Sequence, residues 1–264
     1  MLLFTPGLSA GMWTEYGMLS GSNNFLRQDL TFALNISTPL ISGINTSVYK
    51  IEKKDSVISL RLPVSFMFNK NLIGTVKPFY YPKNSNSSSA KGLRASISYL
   101  TQNAEREINT NYNLAISYED QHLGEEQEIS AKALDFQMEK NFYDNFFILI
   151  GGGLVNNNSV SKTAQKRFSE ISDILYTNSM PFFDDNIYSN MSLQVARSFK
   201  PDYDSFFYLC FERLNGQISD YNSYIAGLRI NFLDKNFVNF SYNYLDKKAG
   251  NDKKYYKVNI GVSF

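Results

Sequence analysis

Cysteine, histidine and long apolar runs are what this sequence has least of. A single cysteine, Cys210, allows no disulfide within the chain. A single histidine, His122, leaves neither the Cys/His spacing of a metal site nor imidazoles for a catalytic dyad. The longest apolar run, Phe146 to Val155, is about half of what a spanning helix requires and contains Gly151, Gly152 and Gly153. Charge of one sign is lacking too: 26 Lys and Arg stand against 25 Asp and Glu, scattered along the chain, so nucleic acid is not an expected partner. No glycine-rich phosphate loop or calcium-loop pattern occurs, so no cofactor is expected and an enzyme is not the expected reading. Residues Met1 to Leu8 have no basic segment and too short an apolar core for a signal peptide; the expectation is a mature form with an added Met1, or a barrel cut from a longer protein.

What is abundant is aromatic and alternating. Phe, Tyr and Trp make up 15% of the residues, yet mean hydropathy is slightly polar at -0.29. In the last stretch Tyr256, Val258, Ile260, Val262 and Phe264 alternate with Lys257, Asn259, Gly261 and Ser263, which predicts a strand with one apolar and one polar face. The same period recurs upstream, best from Ile58 to Phe68, where Pro63 removes a ladder hydrogen bond and predicts a bulge or local irregularity. From Ile129 to Glu139 the apolar parity also turns Lys132 outward, which fits a position at the rim or a bulge. In all, about fourteen strands are expected, with twelve or sixteen also compatible.

The connections sort into two alternating sets. One is tight, at Asn69 to Asn71, Lys140 to Asn145, Lys200 to Asp204 and Leu233 to Asn236; the other is longer, at Lys83 to Lys91, Asp120 to Gln127, Asn156 to Asn186 and Leu245 to Lys254. Short turns on one side and long loops on the other are a feature of membrane β-barrels. A soluble sandwich does not sustain outward rows as bulky as Ile58 to Phe68 over so many strands, and no fixed repeat suggests a solenoid. The expected fold is therefore one all-β domain over residues 1–264: a transmembrane, antiparallel, up-and-down barrel. The long outer loop 156–186 carries Phe168, Ile171 and Leu175 at helical spacing, which predicts a short amphipathic helix acting as a constriction or lid, or resting on the rim.

On Tyr256, Val258, Ile260, Val262 and the terminal Phe264, the chain resembles bacterial outer-membrane barrels of the porin type, in which such an end is read by the barrel-assembly machinery. That resemblance implies an outer-membrane location and contact with its lipid. The opening, Pro6 to Gly11 followed by Ser20-Gly21-Ser22-Asn23-Asn24 and Arg27-Gln28-Asp29-Leu30, also resembles the entry into the barrels that follow tetratricopeptide repeats in cellulose-type exopolysaccharide exporters. This second resemblance implies a periplasmic scaffold domain as partner, and no repeats occur in this chain.

The parity opposite each apolar row predicts the pore lining. It contains the bases Arg61, Lys77, Arg94, Arg229 and Lys257, the acids Glu15, Glu119, Asp135, Glu139 and Glu212, and the aromatics Trp13, Phe79, Tyr81 and Tyr208, together with Cys210. Charges that balance argue against strong ion selectivity. Flat aromatic faces among Asn113, Gln137, Gln194, Asn231, Asn239 and Asn243 suit sugars or other small hydrophilic solutes. His122 beside Asp120, with Asp184 and Asp185 in another loop, only superficially resembles an omptin protease. The expected function is a passive conduit, either of an exopolysaccharide exporter or as a free-standing diffusion porin; the alternative of another class is a non-channel adhesin or lipid enzyme.

Overall fold

Strict alternation of apolar and polar residues leaves each strand one face for lipid and one for the interior, and a closed barrel is the arrangement that satisfies every backbone group in a bilayer. In the computed structural model, residues 11–22, 24–37, 39–50, 56–82, 89–103, 108–123, 127–142, 145–157, 187–199, 205–216, 219–232, 236–248 and 251–264 are described. They form β1 (Met12–Gly21), β2 (Phe25–Ser37), β3 (Leu40–Lys50), β4 (Val57–Arg61), β5 (Val64–Asn69), β6 (Leu72–Tyr81), β7 (Ser89–Asn103) and β8 (Ile108–Leu123). The circuit continues with β9 (Gln127–Phe142), β10 (Phe146–Asn157), β11 (Ile187–Ser198), β12 (Phe206–Gly216), β13 (Asp220–Phe232), β14 (Asn236–Lys247) and β15 (Lys253–Ser263). Each strand pairs antiparallel with its neighbours in sequence, and β15 closes on β1, so the segments make a barrel of 14 strands with β4 and β5 as halves of one. At the seam the Met12 and Phe264 amides each donate to the other's carbonyl, at 3.3 and 2.8 Å.

Pro63 produces the expected irregularity without a bulge. The β4 ladder stops at Arg61 and β5 resumes at Val64, but Asn45 faces Arg61 and Ser42 faces Val64, so the register is the same on both sides. Leu60, Leu62, Val64 and Phe66 therefore stay on the outer face at 38–43% exposure while Arg61 is buried. Lys132 is exposed between Tyr118 and Asn156 in uninterrupted ladders, in the end of β9 farther from the termini: a rim position, with no bulge.

Strands entered at the end bearing Gly11 and Phe264, here the near mouth, turn back at the far mouth. One expectation about the connections needs correction. At the far mouth β8 and β9 run on to Leu123 and from Gln127, so only residues 124–126 separate them, and His122 lies in a strand, its Nδ1 3.2 Å from the exposed Glu128 carboxylate. At the near mouth the β11–β12 hairpin agrees with the expected connection: beyond Ser198 the Phe199 amide still donates to the Ser205 carbonyl at 3.1 Å, so residues 200–204 join the two strands. Lengthening β8 and β9 beyond the bilayer uses the polar residues that read as loop. The expected helix with Phe168, Ile171 and Leu175 lies outside the described residues, as do Asp184 and Asp185.

The outer surface is banded. A mid-height belt includes Leu30, Leu62, Ile97, Leu114, Ile116 and Leu209, all more than a third exposed. At the near end it is bordered by Phe68, Phe146, Phe199, Phe207, Phe232 and the terminal Phe264, at the far end by Tyr80, Tyr118, Tyr188, Tyr224 and Tyr256. Aromatic girdles around an apolar belt match a surface immersed in lipid, whose two interfaces favour rings with one wet edge.

Candidate lumen and its two mouths

Inside, the register sorts side chains into levels. Leu19, Phe25, Tyr49, Val57, Tyr81, Ala90, Leu214, Tyr221, Leu245 and Tyr255 all lie within three residues of the far end of their strands and form one apolar cluster. This collar is dry: Phe25, Tyr81, Tyr221 and Tyr255 are 0–2% exposed. Phe25 and Tyr255 meet edge to face at 5.8 Å, as Phe79 and Tyr81 do at 6.3 Å. Glu119 and Glu212 are also fully buried at the far side, Glu119 accepting from Gln121 at 2.7 Å and Glu212 from Asn190 at 2.9 Å.

Below the collar runs a charged belt. Arg61 donates through Nη1 to Asn45 and Ser47, both at 2.8 Å, and through Nη2 to Tyr49 and Tyr81 at 3.0 and 3.3 Å. Arg27 donates to Asp29 at 2.7 Å and lies over the Tyr49 ring, while Ser47 donates to the same carboxylate. Across β8, both terminal nitrogens of Arg94 reach Asp135, at 2.8 and 2.5 Å, in a bidentate pair. Lys257, Glu15 and Asn259 share the β15–β1 seam, where Asn259 donates to Glu15 at 2.9 Å. Among the described residues the inward bases sit on β2, β4, β6, β7, β13, β14 and β15, Lys247 of β14 lying over the Tyr221 ring, whereas β8 to β12 carry inward acids and no inward Lys or Arg. The inward bases slightly outnumber the acids; Glu15 and Asp29 stand among the bases, and the other acids occupy the arc from β8 to β12.

Toward the near mouth the wall is wetter. Thr31, Thr75, Asn113, Gln194, Asn231 and Asn239 keep partial exposure, as do Trp13, Tyr208, Glu139, Arg229 and Lys77. Tyr208 donates to Asn239 at 3.4 Å, and Asn113 to Ser98 at 3.2 Å. Gly227 lets the Tyr208 ring lie against β13, since a Cβ there would stand 2.1 Å from the ring; Gly261 does the same for Phe237.

The expected lining thus divides. Trp13, Glu15, Lys77, Arg94, Glu139, Tyr208, Arg229 and Lys257 are on the inner parity and partly exposed; Arg61, Phe79, Tyr81, Glu119, Asp135 and Glu212 share that parity but are buried in the wall. Cys210, flanked by Leu209 and Phe211 on the outer face, is likewise inward and buried. Phe79 and Tyr81 cannot serve as open platforms for a solute. Arg27, Asp29 and Lys253 were not anticipated, because β2 and β15 begin before the apolar rows of Leu30 and Tyr256; the parity extended backward would have found them. Tyr256, Ile260 and Phe264 are outward and exposed, as on a lipid-facing final strand.

Solved structures share the whole barrel. A bacterial polysaccharide outer membrane secretin superposes with a TM-score of 0.60 at 10% identity, over 96% of this chain and 98% of that one. Acinetobacter baumannii OccAB1 gives 0.57 at 6% identity over 97% and 96%, and Pseudomonas aeruginosa OccK8 (OprE) gives 0.53 at 7% over 97% and 98%. No family model matches the sequence, and no curated protein matches it. At such identities the likeness establishes the fold, that of outer-membrane barrels.

Proposed function

We propose that this chain is a non-enzymatic outer-membrane conduit for hydrophilic solutes, with the near mouth in the periplasm, and that its solute is a polysaccharide chain on its way out. The observation that carries this reading is the lower lumen: a closed wall of 14 strands whose interior from mid-height to the near mouth carries amides, hydroxyls and charges of both signs among aromatic rings, many of them still reached by water. Eight-stranded barrels fill with side chains and sixteen-stranded ones hold a channel, so this circumference leaves a passage. Water reaching one mouth and not the dry far collar suits a conduit loaded from the periplasm. The secretin barrel's likeness and the sequence's resemblance to exporter barrels support the same choice. Free diffusion of small nutrients is the second reading, supported by the likeness to the Occ barrels.

The far collar makes the test specific. In planar bilayers the intact chain should show small, intermittent conductance with weak preference between small cations and anions. Deleting Lys162 to Tyr176 should enlarge it if that connection narrows the mouth. High conductance unchanged by the deletion would favour the diffusion porin, and none before or after would overturn the conduit.

A further inference from the structure

Aromatic and apolar side chains recur inside the near mouth at one level. Trp13, Ile41, Ile73, Phe147 and Phe237 are each the second residue of the strand that rises from this mouth, and Phe206 is the first of its own. Four of them, on β10, β12, β14 and β1, are aromatic and stand on successive rising strands. Their backbone positions are therefore two strand spacings apart, roughly 10 Å along the wall, a gap that the side chains can bridge. Phe147 and Phe206 meet edge to face at 4.9 Å, and Tyr208 continues from Phe206 at 6.0 Å.

Two rings at this level are held flat. Tyr208 covers Gly227 and Phe237 covers Gly261, positions where any Cβ would collide with the ring, so each lies along the wall with its second face turned inward. On Phe237 that face is capped by the Arg229 guanidinium, 3.8 Å from the ring centroid, which Asn231 holds by accepting from Nε at 2.9 Å. Two planar surfaces, the Tyr208 ring and the Arg229 guanidinium, result on adjacent strands, with the amides of Gln194, Asn231 and Asn239 around them.

We propose, resting on the conduit reading, that Phe147, Phe206, Tyr208, Arg229 and Trp13 form a saccharide-binding arc that takes the pyranose faces of a neutral sugar chain entering from the periplasm. Sugars present apolar C–H faces that stack on planar groups and hydroxyls that pair with amides and guanidinium, which an aliphatic lining would not supply. The far collar holds as many rings but is closed to water, so it cannot load a solute. Arg229 is the one cation in the arc, too little for a polyanion.

A neutral β-linked glucose hexamer is the probe. With the full chain inserted in one orientation in planar bilayers, it should give transient current blockades when added to the periplasmic side. Tyr208→Leu, which keeps an apolar side chain over Gly227 but no flat face, and Phe206→Ala should shorten them about fivefold. Phe207→Ala, on the lipid face between them, should leave them unchanged. Equal blockades in wild type and both inward variants, or none in a channel of normal conductance, overturn the arc. If no current flows at all the conduit reading fails instead, and equilibrium dialysis of the hexamer against the folded barrel decides the arc alone: saturable binding lost in Tyr208→Leu supports it, and none refutes it.

Discussion

Placing one arginine at Leu114 and another at Asn113 separates the membrane barrel from any soluble all-β alternative. Leu114 lies at mid-strand on β8, 52% exposed, opposite Ile97 of β7 and Phe136 of β9, both on the outer face. Its neighbour Asn113 points inward, opposite Ser98 and Gln137, in the wetter part of the lumen. If the outer face meets hydrocarbon, Leu114→Arg costs about 2–4 kcal/mol, the depth-dependent penalty for a cation near the bilayer midplane. That is a roughly 30- to 900-fold loss in the folding equilibrium. Asn113→Arg loses one hydrogen bond, to Ser98, and gains proximity to Glu139 and Asp135, so its effect should stay within about 1 kcal/mol. Phe68→Arg, at the near end of β5 and 61% exposed, tests depth: an interfacial cation costs about 0–1 kcal/mol.

The measurement is urea unfolding in phosphatidylcholine vesicles, followed by emission of Trp13, the one tryptophan. Equal penalties at Leu114 and Asn113, or a larger one at Phe68 than at Leu114, would refute both the lipid-facing assignment and the depth ordering.

Asp135→Asn should destabilise the barrel by about 3 kcal/mol in the same assay, because it strips a bidentate partner from Arg94 at a site where the Asp135 side chain is 3% exposed; Arg94→Met with Asp135→Leu should recover most of it, and an unchanged single variant would mean that water replaces the pair. Cys210, 4% exposed, should react slowly with a water-soluble maleimide in the folded barrel and rapidly in urea; fast labelling of the folded protein would place water higher in the lumen than the wall packing allows.

Side and level differ in how far the sequence reveals them. Which side of the wall a residue faces was legible almost throughout, because period two with bulky outward rows leaves one solution: Ile58 to Phe68, Val238 to Tyr244 and the terminal strand each declare their lipid face. Even Pro63 did not disturb it, since the register resumes beyond it. Strand ends were less legible. A polar stretch such as Asp120 to Gln127 reads as loop, yet two strands leaving the bilayer keep pairing in water, and nothing in composition marks where the membrane stops.

Level was not legible, and function depends on it. Tyr81, Tyr208, Phe79 and Trp13 share one parity and look equivalent as candidate platforms for a sugar. Cross-strand pairing separates them. Tyr81 faces Ala90, near the far ends of β6 and β7, in the dry collar, whereas Tyr208 faces Gly227 and Ala196 near the opening. That height follows from the cumulative stagger of every strand around the barrel, a quantity fixed by closure and invisible in any single segment. Glycine supplies the one local hint. Gly227 and Gly261 sit inward in otherwise well-filled strands, where a missing side chain weakens a strand unless another group lies across the gap. An inward glycine one strand away from an inward aromatic therefore marks a ring pressed flat against the wall, and in this chain two of those marks fall at the mouth that water can reach.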